Sequence, residues 1–286
     1  MRRLLVYTGK PGQILPPSLK LIGGKTRIRK LLYEHFPYHT TYVEPFLGSG
    51  TVLIGKYKAL DETVGDLNSF LIDYYTVIRD FPLTFYEKMK LEHRLLCVDP
   101  ESNFAHIKEQ VMATKNQVMR AVYFYLITKH CFNGIWRINN DGNCNSSWGG
   151  TTRGRGIFTE AWLEAVSKRI QGVNFIQTDY RQLLSKTSGD PKTFVFLDPP
   201  YRQKSKENPG GCLTTYNNIR FKDEDHIIMS DTLKKAKYKW LLTINDDILI
   251  RDLYKDFNIL DHKIFYSCSV KGENRKRAPE LIIKNY

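Results

Sequence analysis

The sequence predicts an α/β protein with an open sheet that carries its binding site at the carboxyl ends of the strands. Residues 194–197 are apolar and lie between charged and turn-forming residues, as in a buried strand, and they run into Asp-Pro-Pro-Tyr at 198–201. Residues 41–44 predict a short strand that leads through a Gly-x-Gly turn at 48–50 into a helix. Residues 64–66 end another strand in an acid. Strands therefore end in acidic or glycine-rich turns, where open α/β sheets bind ligands.

The composition is that of an ordinary globular chain with a strong positive charge. Of 286 residues, 42% are hydrophobic and 26% are charged, which suits one large domain or two modest ones. Lys and Arg number 43 against 30 Asp and Glu, which gives a net charge of +13. This excess favours a polyanionic partner, because neutralised phosphates release counterions. A basic surface that is merely solvated is the alternative.

The cysteines and the first residues bear on the compartment. Five cysteines, an odd number without a Cys-x-x-Cys pair, predict reduced thiols, no disulfide framework and no metal site. The apolar run after Met1-Arg2-Arg3 is too short for a signal peptide, and no apolar segment of membrane length follows. We therefore expect a cytoplasmic protein without a membrane partner.

The first motif along the chain is Gly23-Gly24-Lys25-Thr26, which opens a helical pattern to about Phe36. It copies the tail of a phosphate-binding P-loop, but position 19, where that motif needs its first glycine, is Leu, so an NTPase is excluded. Paired glycines at a helix start still let the backbone approach a ligand, and Lys25 could meet a carboxylate there.

The turn at Gly48-Ser49-Gly50 is typical of nucleotide binding, but the third glycine of the dinucleotide fingerprint is missing at Leu53, which disfavours a dehydrogenase. Asp66, at the end of the next strand, is placed to accept both ribose hydroxyls of a bound nucleoside. It could instead cap the helix predicted over 68–80.

Asp198-Pro199-Pro200-Tyr201 predicts the chemistry. The prolines stop the strand and stiffen the loop. A carboxylate and a fixed backbone carbonyl can both accept hydrogens from an exocyclic amine, while the tyrosine ring stacks on the base that carries it. A strand, a turn and a packing tyrosine are the simpler alternative.

Residues 81–170 have a different texture, with a helical pattern over roughly 103–130 and a basic segment with hairpin signals near 131–145. An Arg in such a hairpin can bond bidentately to guanine in a DNA groove. An ordinary surface hairpin is the alternative. Thr159 predicts the N-cap of a helix to about Ile170.

The remaining elements close the fold. A strand over 173–177 ends near Asp179, which could meet the amine of a bound adenine or cap the next turn. A long polar loop over 202–220 precedes a helix near 223–236 and a strand at 240–244. Residues 263–269 and 281–283 predict a closing hairpin whose basic loop, 271–277, suits phosphates.

The order Gly-Gly-Lys, Glu-Pro-Phe-x-Gly-x-Gly, Gly-Asp-Leu-Asn and Asp-Pro-Pro-Tyr, from about residue 20 to the end, resembles the Dam-like DNA adenine methyltransferases, which are S-adenosylmethionine-dependent amino-methyltransferases. The resemblance implies a Rossmann-like, seven-stranded sheet with one antiparallel strand. It also implies a catalytic domain of residues 1–80 and 171–286 and an inserted, mainly helical target-recognition domain of residues 81–170.

The resemblance further implies which residues act. The expected catalytic residues are Asp198, Pro199, Pro200 and Tyr201. The residues expected to bind S-adenosylmethionine are Leu21, Gly24, Lys25, Glu44, Phe46, Gly48, Gly50, Asp66, Asp179 and Asp198. The residues expected to bind DNA are Asn133, Ile135, Trp136, Arg137, Thr215, Tyr216, Lys271, Arg275 and Lys276. Two departures stand out: Leu21 replaces the family's usual Trp, and Ser146-Ser147-Trp148-Gly149 replaces Val-Pro-Phe-Gly.

The expected reaction is methylation of N6 of an adenine flipped out of double-stranded DNA, in GATC if Arg137 reads guanine as its counterpart in the family does. Alternatives are an N4-cytosine or RNA amino-methyltransferase, or a non-catalytic DNA-binding protein of the same fold. Methylation at carbon 5 of cytosine is excluded, because no cysteine follows a proline. We expect association with the nucleoid, and the sequence leaves open a cognate restriction endonuclease that acts separately.

Overall fold

The computed structural model describes residues 15, 19–21, 23–152, 156–202, 221–265 and 277–286. In this part of the chain, seven strands form one sheet in the order β3-β2-β1-β4-β5-β7-β6. The strands are β1 Thr41–Glu44, β2 Asp61–Asp66, β3 Val173–Gln177, β4 Thr193–Leu197, β5 Lys239–Asn245, β6 Asn258–Phe265 and β7 Arg277–Lys284. The predicted seven-stranded α/β fold is confirmed.

The strand directions place the functional edge of the sheet. Strands β3, β2, β1, β4 and β5 pair in parallel, whereas β7 pairs antiparallel with both β5 and β6. The chain builds the sheet outward from β1 to β3 on one side and from β4 to β6 on the other. The carboxyl ends of β1 and β4 therefore flank the topological switch point, where ligands bind in such sheets.

Ten α-helices accompany the sheet in the described residues. They are α1 Arg29–Glu34, α2 Thr51–Gly55, α3 Ser69–Asp80, α4 Pro82–Val98, α5 Pro100–Ala113, α6 Gln117–His130, α7 Glu160–Ile170, α8 Tyr180–Lys186, α9 Asp223–Lys234 and α10 Ile248–Leu253. Short 3-10 turns lie at Lys25–Arg27 and Phe132–Gly134. None of the described helices has the length and apolar character needed to cross a bilayer.

Capping side chains explain where several helices begin. The Thr159 hydroxyl accepts from Trp162 N at 3.2 Å, so α7 starts as predicted. The helical pattern predicted over roughly 103–130 corresponds to two helices, α5 and α6, and α6 begins where Asn116 Oδ1 accepts from Met119 N at 3.0 Å. Helix α4 has no counterpart in the prediction, and Pro82 occupies its first turn.

The core lies on both faces of the sheet. Phe194 and Phe196 of β4 join the apolar cluster on one face, and Val195 and Leu197 join the cluster on the other. Helices α3 to α7 belong to the first cluster together with the sheet, as Phe124 of α6 illustrates. The division into catalytic and target-recognition domains stays a prediction.

The segment 131–148 forms a loop rather than a regular hairpin. Its two sides form two isolated backbone bridges, Cys131↔Trp148 and Ile138↔Cys144, and no continuous ladder. The predicted Asp-Gly turn is present, with Gly142 at φ +82°. Regular pairing is replaced by bonds to side chains, since Arg137 N donates to Ser146 Oγ at 3.0 Å.

Candidate active site at the switch point of the sheet

Asp198 follows β4 directly and is held at both carboxylate oxygens. Lys25 Nζ lies 2.7 Å from Oδ2, and Thr243 Oγ1 on β5 donates to Oδ1 at 2.9 Å. The Asp198 side chain is 19% exposed, and that of Lys25 is 6% exposed. The carboxylate is therefore fixed in orientation while part of its surface is open to a ligand.

Lys25 joins two predicted motifs that are far apart in the chain. Its ammonium also donates to Gly23 O at 3.0 Å and lies 5.0 Å from the centroid of the Tyr201 ring. Pro199 is buried, whereas Tyr201 is half-buried. The carboxylate that Lys25 meets here belongs to the protein itself. Sequence reasoning missed Thr243, because nothing local to β5 shows that its hydroxyl faces Asp198.

The glycine turn after β1 lies against Asp66. Gly48 N donates to Asp66 Oδ2, and Asn68 N donates to Asp66 Oδ1, both at 2.9 Å. Asn68, not Asp66, caps α3, because Asn68 Oδ1 accepts from Phe70 N at 3.0 Å. Burial raises the pKa of the Asp66 carboxyl, and the backbone bonds act against that rise. The backbone N–H of Leu67 also acts on this carboxylate, which still has acceptor capacity for a further donor.

Close packing requires glycine at position 50 and leaves little room beside Gly24. Gly50 has φ +62°, and a Cβ there would lie 2.4 Å from Tyr75 Oη. A Cβ on Gly24 would lie 3.1 Å from Ser49 Oγ. The Gly-Gly-Lys segment and the glycine turn are therefore neighbours. A cavity of about 230 Å³ opens beside them and is lined by Leu19, Lys20, Leu21, Gly24, Thr26, Ser49 and Lys129.

Aromatic rings lie on the other side of the loop between β1 and α2, residues 45–50. Phe46 stacks on Tyr180 with ring centroids 5.2 Å apart and meets the edge of Phe221 at 5.9 Å. Phe46 is half-buried and was predicted, whereas Tyr180 and Phe221 were not. Tyr180 follows Asp179 at the start of α8. Its position just after a predicted strand was the one feature of the sequence that could have marked it as a site residue.

Asp179 and Glu44 are engaged by the protein. Asp179 caps α8 by accepting from Arg181 N at 2.8 Å and pairs with the Arg181 guanidinium at 3.2 Å. Its predicted contact with a bound adenine stays a prediction. Glu44 is 2% exposed and accepts from Tyr42 Oη at 2.8 Å. Burial raises the pKa of Glu44 to about 8. The predicted contact of Glu44 with a cofactor stays a prediction.

The candidate DNA-reading loop is anchored to the core by Trp136, one of the residues expected to bind DNA. Trp136 is 4% exposed, and its ring lies 4.9 Å from both Phe70 and Phe124. The indole holds the loop to the core, and the predicted contact of Trp136 with DNA stays a prediction. Asn133, with φ +53°, and Ile135 and Arg137 remain half-buried. The predicted DNA contacts outside the described residues are Thr215, Tyr216, Lys271, Arg275 and Lys276.

The sequence predicts neither a disulfide framework nor a metal site, and the described residues bear on both. None of Cys97, Cys131 and Cys144, the cysteines in the described residues, forms a disulfide. Within the described ranges, no three His, Cys, Asp or Glu side chains are grouped in a way that could hold a metal ion.

The family model of the D12 class N6 adenine-specific DNA methyltransferases matches residues 21–268, a span that includes Lys25, Asp66, Asp198 and Thr243. The chain belongs to this family. The predicted resemblance is thus confirmed. The family is specific for N6 of adenine in DNA, which argues against the alternatives of an N4-cytosine or an RNA methyltransferase.

Relatives of this D12-class protein align over nearly its whole length. It is 30% identical to the type II methyltransferase M.MjaIII of Methanocaldococcus jannaschii over 292 residues, which covers 94% of this chain and 99% of the relative. It is 26% identical to the DNA adenine methylase of Escherichia coli, over 92% of this chain and 93% of the relative. The type II methyltransferase M1.LlaDCHI of Lactococcus lactis is 25% identical over 100% of this chain and 96% of its own.

Proposed function

We propose that this D12-class protein transfers the methyl group of S-adenosylmethionine to N6 of an adenine flipped out of double-stranded DNA. The observation that carries the proposal is the position of Asp198. It lies at the carboxyl end of β4, held by Lys25 and Thr243, across the switch point from the glycine turn after β1. An acceptor for an exocyclic amine thus neighbours a cradle for a nucleoside.

The residues around the switch point fit S-adenosylmethionine. Gly48 and Gly50, both with positive φ, let the backbone approach a ligand, and Asp66 retains lone pairs for ribose hydroxyls. Phe46 offers a ring for the adenine. Leu21, Gly24 and Lys25 serve the methionine end, and Asp179 serves the adenine amine. Bound there, the cofactor would supply an electrophilic methyl carbon on its sulfonium.

Asp198 and the Pro199 carbonyl activate the target amine. The amine of adenine is a poor nucleophile, because its lone pair is delocalised into the ring. Asp198 and Pro199 accept the amine hydrogens, which localises that lone pair on nitrogen. Lys25 and Thr243 use one acceptor position on each Asp198 oxygen, so further positions remain. The positive charge that develops on nitrogen falls beside the carboxylate, which stabilises it.

Tyr201 holds the extruded base. Extrusion from the duplex costs a few kcal/mol. Stacking on an aromatic ring contributes roughly 1–3 kcal/mol, by analogy with single-stranded binding, and so offsets much of that cost. Pro200 stiffens the chain next to the tyrosine, so the ring is positioned before the base arrives.

The proposed site is GATC, because the segment Asn133–Arg137 resembles the one that reads guanine in Dam-like enzymes. Arg137 is the reader and can bond bidentately to guanine. Asn133 and Ile135 lie beside it, and Thr215 and Tyr216 are assigned to the flipped nucleotide. Lys271, Arg275 and Lys276 bind phosphates, in keeping with the net charge of +13.

A cognate restriction endonuclease that acts separately is included in the proposal, because relatives such as those of Methanocaldococcus jannaschii and Lactococcus lactis are named type II methyltransferases. The partner would recognise the same sequence without contacting this chain. Action on chromosomal DNA places the protein with the nucleoid.

The test is transfer of tritium from labelled S-adenosylmethionine to plasmid DNA, followed by nucleoside digestion. We expect label in N6-methyl-2′-deoxyadenosine, and Asp198→Ala should abolish it while cofactor binding weakens only modestly. Asp231→Ala, which removes a carboxylate that is 59% exposed, is the control and should keep full activity. Full activity of Asp198→Ala refutes the mechanism. DNA binding by the unaltered protein without any label in nucleosides identifies a non-catalytic DNA-binding protein.

Specificity is tested with duplexes that carry each single-base change of the site. Arg137→Ala should relax discrimination at one base by about 1–3 kcal/mol and leave the other positions unchanged. Arg137→Lys, which keeps the charge but not the bidentate geometry, should relax it less. An unchanged methylation pattern in Arg137→Ala removes this residue from the reading role.

A further inference from the structure

Strand β5 lies beside the catalytic loop, residues 198–201, and two of its side chains face that loop. The parallel register pairs Phe196 with Leu241 and Leu197 with Leu242, so Thr243 lies level with Asp198. Side chains alternate along a strand, and Leu242 and Ile244 belong to the apolar cluster on the opposite face. Thr243 and Asn245 therefore project from one face of β5, where the Asp-Pro-Pro-Tyr loop lies.

The hydroxyl of Thr243 orients the Asp198 carboxylate. The side chain is fully buried, and Oγ1 lies 2.9 Å from Asp198 Oδ1 and 3.4 Å from Leu197 O. A hydroxyl has one hydrogen, which goes to the shorter contact with the ionised acceptor. Valine would fill the same volume on this apolar strand without any polar group. The hydroxyl is thus explained by the carboxylate that it orients.

Asn245 makes a reciprocal contact with the backbone just after Tyr201. Its Oδ1 accepts from Arg202 N at 3.0 Å, and its Nδ2 donates to Arg202 O at 3.1 Å. The Arg202 guanidinium continues outward, donating to Asp247 at 2.9 Å and to both carboxylate oxygens of Asp223. The chain leaving the catalytic loop is thereby fastened to β5 and to the starts of α9 and α10.

We propose that Thr243 and Asn245 are positioning residues that preform the two ends of the catalytic loop. With Lys25 on one oxygen and Thr243 on the other, rotation of the Asp198 carboxylate is restricted before substrate arrives. Asn245 fixes the exit of the loop behind Tyr201. Neither residue is assigned to the cofactor or to DNA, so both act through the residues they hold. This inference rests on the proposed role of Asp198.

The test compares Thr243→Val with Thr243→Ser. The rate of methyl transfer is measured in a single turnover with cofactor and DNA saturating, and both affinities are measured separately. Thr243→Val should slow transfer about tenfold to hundredfold, the effect of losing one hydrogen bond to a charged group, and change each affinity less than about threefold. Thr243→Ser, which restores the hydroxyl, should return the rate to within about threefold of the unaltered protein.

Asn245 provides an independent variant. Asn245→Asp keeps the acceptor for Arg202 N and loses the donor to Arg202 O, so its single-turnover rate should lie between those of the unaltered protein and Asn245→Ala. Thr243→Cys, whose thiol is a weak donor, replaces Thr243→Val if the latter does not fold, and its rate should lie below that of Thr243→Ser.

The outcomes separate this inference from the proposed function. A Thr243→Val protein that transfers methyl at the normal rate, while Asp198→Ala is inactive, overturns the positioning role alone. Thr243→Ser as slow as Thr243→Val shows that volume rather than the hydroxyl matters, which also overturns it. Full activity of Asp198→Ala overturns the function itself.

Discussion

Glu44 provides a sharp test of the electrostatics next to the active site. Its carboxyl is 2% exposed and accepts a hydrogen bond from Tyr42 Oη. Burial raises the pKa of Glu44 from 4.5 to about 8, although the Tyr42 bond and the Lys56 charge act against the rise. Between these two pH values the folded protein keeps a proton that the unfolded chain releases. The resulting stabilisation is complete below pH 4.5 and is lost as the pH rises through 8.

The perturbation is Glu44→Gln. Glutamine has nearly the same shape, is neutral at every pH, and its side-chain oxygen can still accept from Tyr42. The variant therefore keeps the hydrogen bond and has no proton to lose. From pKa values of 4.5 unfolded and about 8 folded, the free energy of unfolding of the variant minus that of the unaltered protein should rise by about 3.5 kcal/mol between pH 5 and pH 8.

Urea unfolding gives both free energies at each pH, with the fluorescence of the four tryptophans as the signal and no cofactor or DNA present. Glu164→Gln is the control, because Glu164 lies on the surface in an ion pair with Lys168. Its difference from the unaltered protein should stay constant between pH 5 and pH 8. A constant difference for Glu44→Gln as well refutes the reasoning, since Glu44 would then be ionised in the folded protein.

Three further perturbations test other parts of the structure. Arg169→Met removes the guanidinium that binds both Glu62 oxygens, at 2.7 and 3.0 Å, inside the core, so the free energy of unfolding in urea should fall by about 3 kcal/mol. Arg251→Met, on the surface, should lower it by less than about 1 kcal/mol. Equal losses in the two variants contradict the argument. Gly50→Ala should unfold at a lower temperature than Gly48→Ala, because both glycines have positive φ but only a Cβ at Gly50 meets Tyr75; equal melting temperatures contradict it. Lys25→Met should slow single-turnover methylation at least about tenfold, because it removes the ion pair that holds Asp198. Lys25→Arg, which keeps the positive charge, should retain more of the rate. A normal rate in Lys25→Met removes the ion pair from the mechanism.

Local signals in the sequence were sufficient for many elements. Thr159 marked the start of α7 and the glycine turn marked the start of α2, because caps and positive-φ turns depend on a few adjacent residues. The apolar run before Asp198 marked β4, which is buried along its whole length. The helical pattern over 103–130 marked α5 and α6 together but not the boundary between them, which lies at the Asn116 cap.

Side-chain roles that depend on distant partners could not be read in the same way. An indole in a basic loop suggested DNA, yet Trp136 packs between Phe70 and Phe124, which belong to different helices. Glu44 stood in a cofactor-binding motif, but its carboxyl meets Tyr42 and is enclosed. Phe46 was predicted without Tyr180, the ring on which it stacks.

The sequence by itself determined the types of chemistry available: an acid before two prolines and a tyrosine, glycines where a backbone must approach a ligand, and an excess of positive charge. It also determined the alternation of strands and helices, because hydrophobic period and capping are local properties of the chain. Only the tertiary structure decided that Lys25 and Thr243 bind the two oxygens of Asp198. The physical reason is that alternation along a strand assigns side chains to faces, whereas the neighbours across the sheet depend on strand order and register, which no single segment contains.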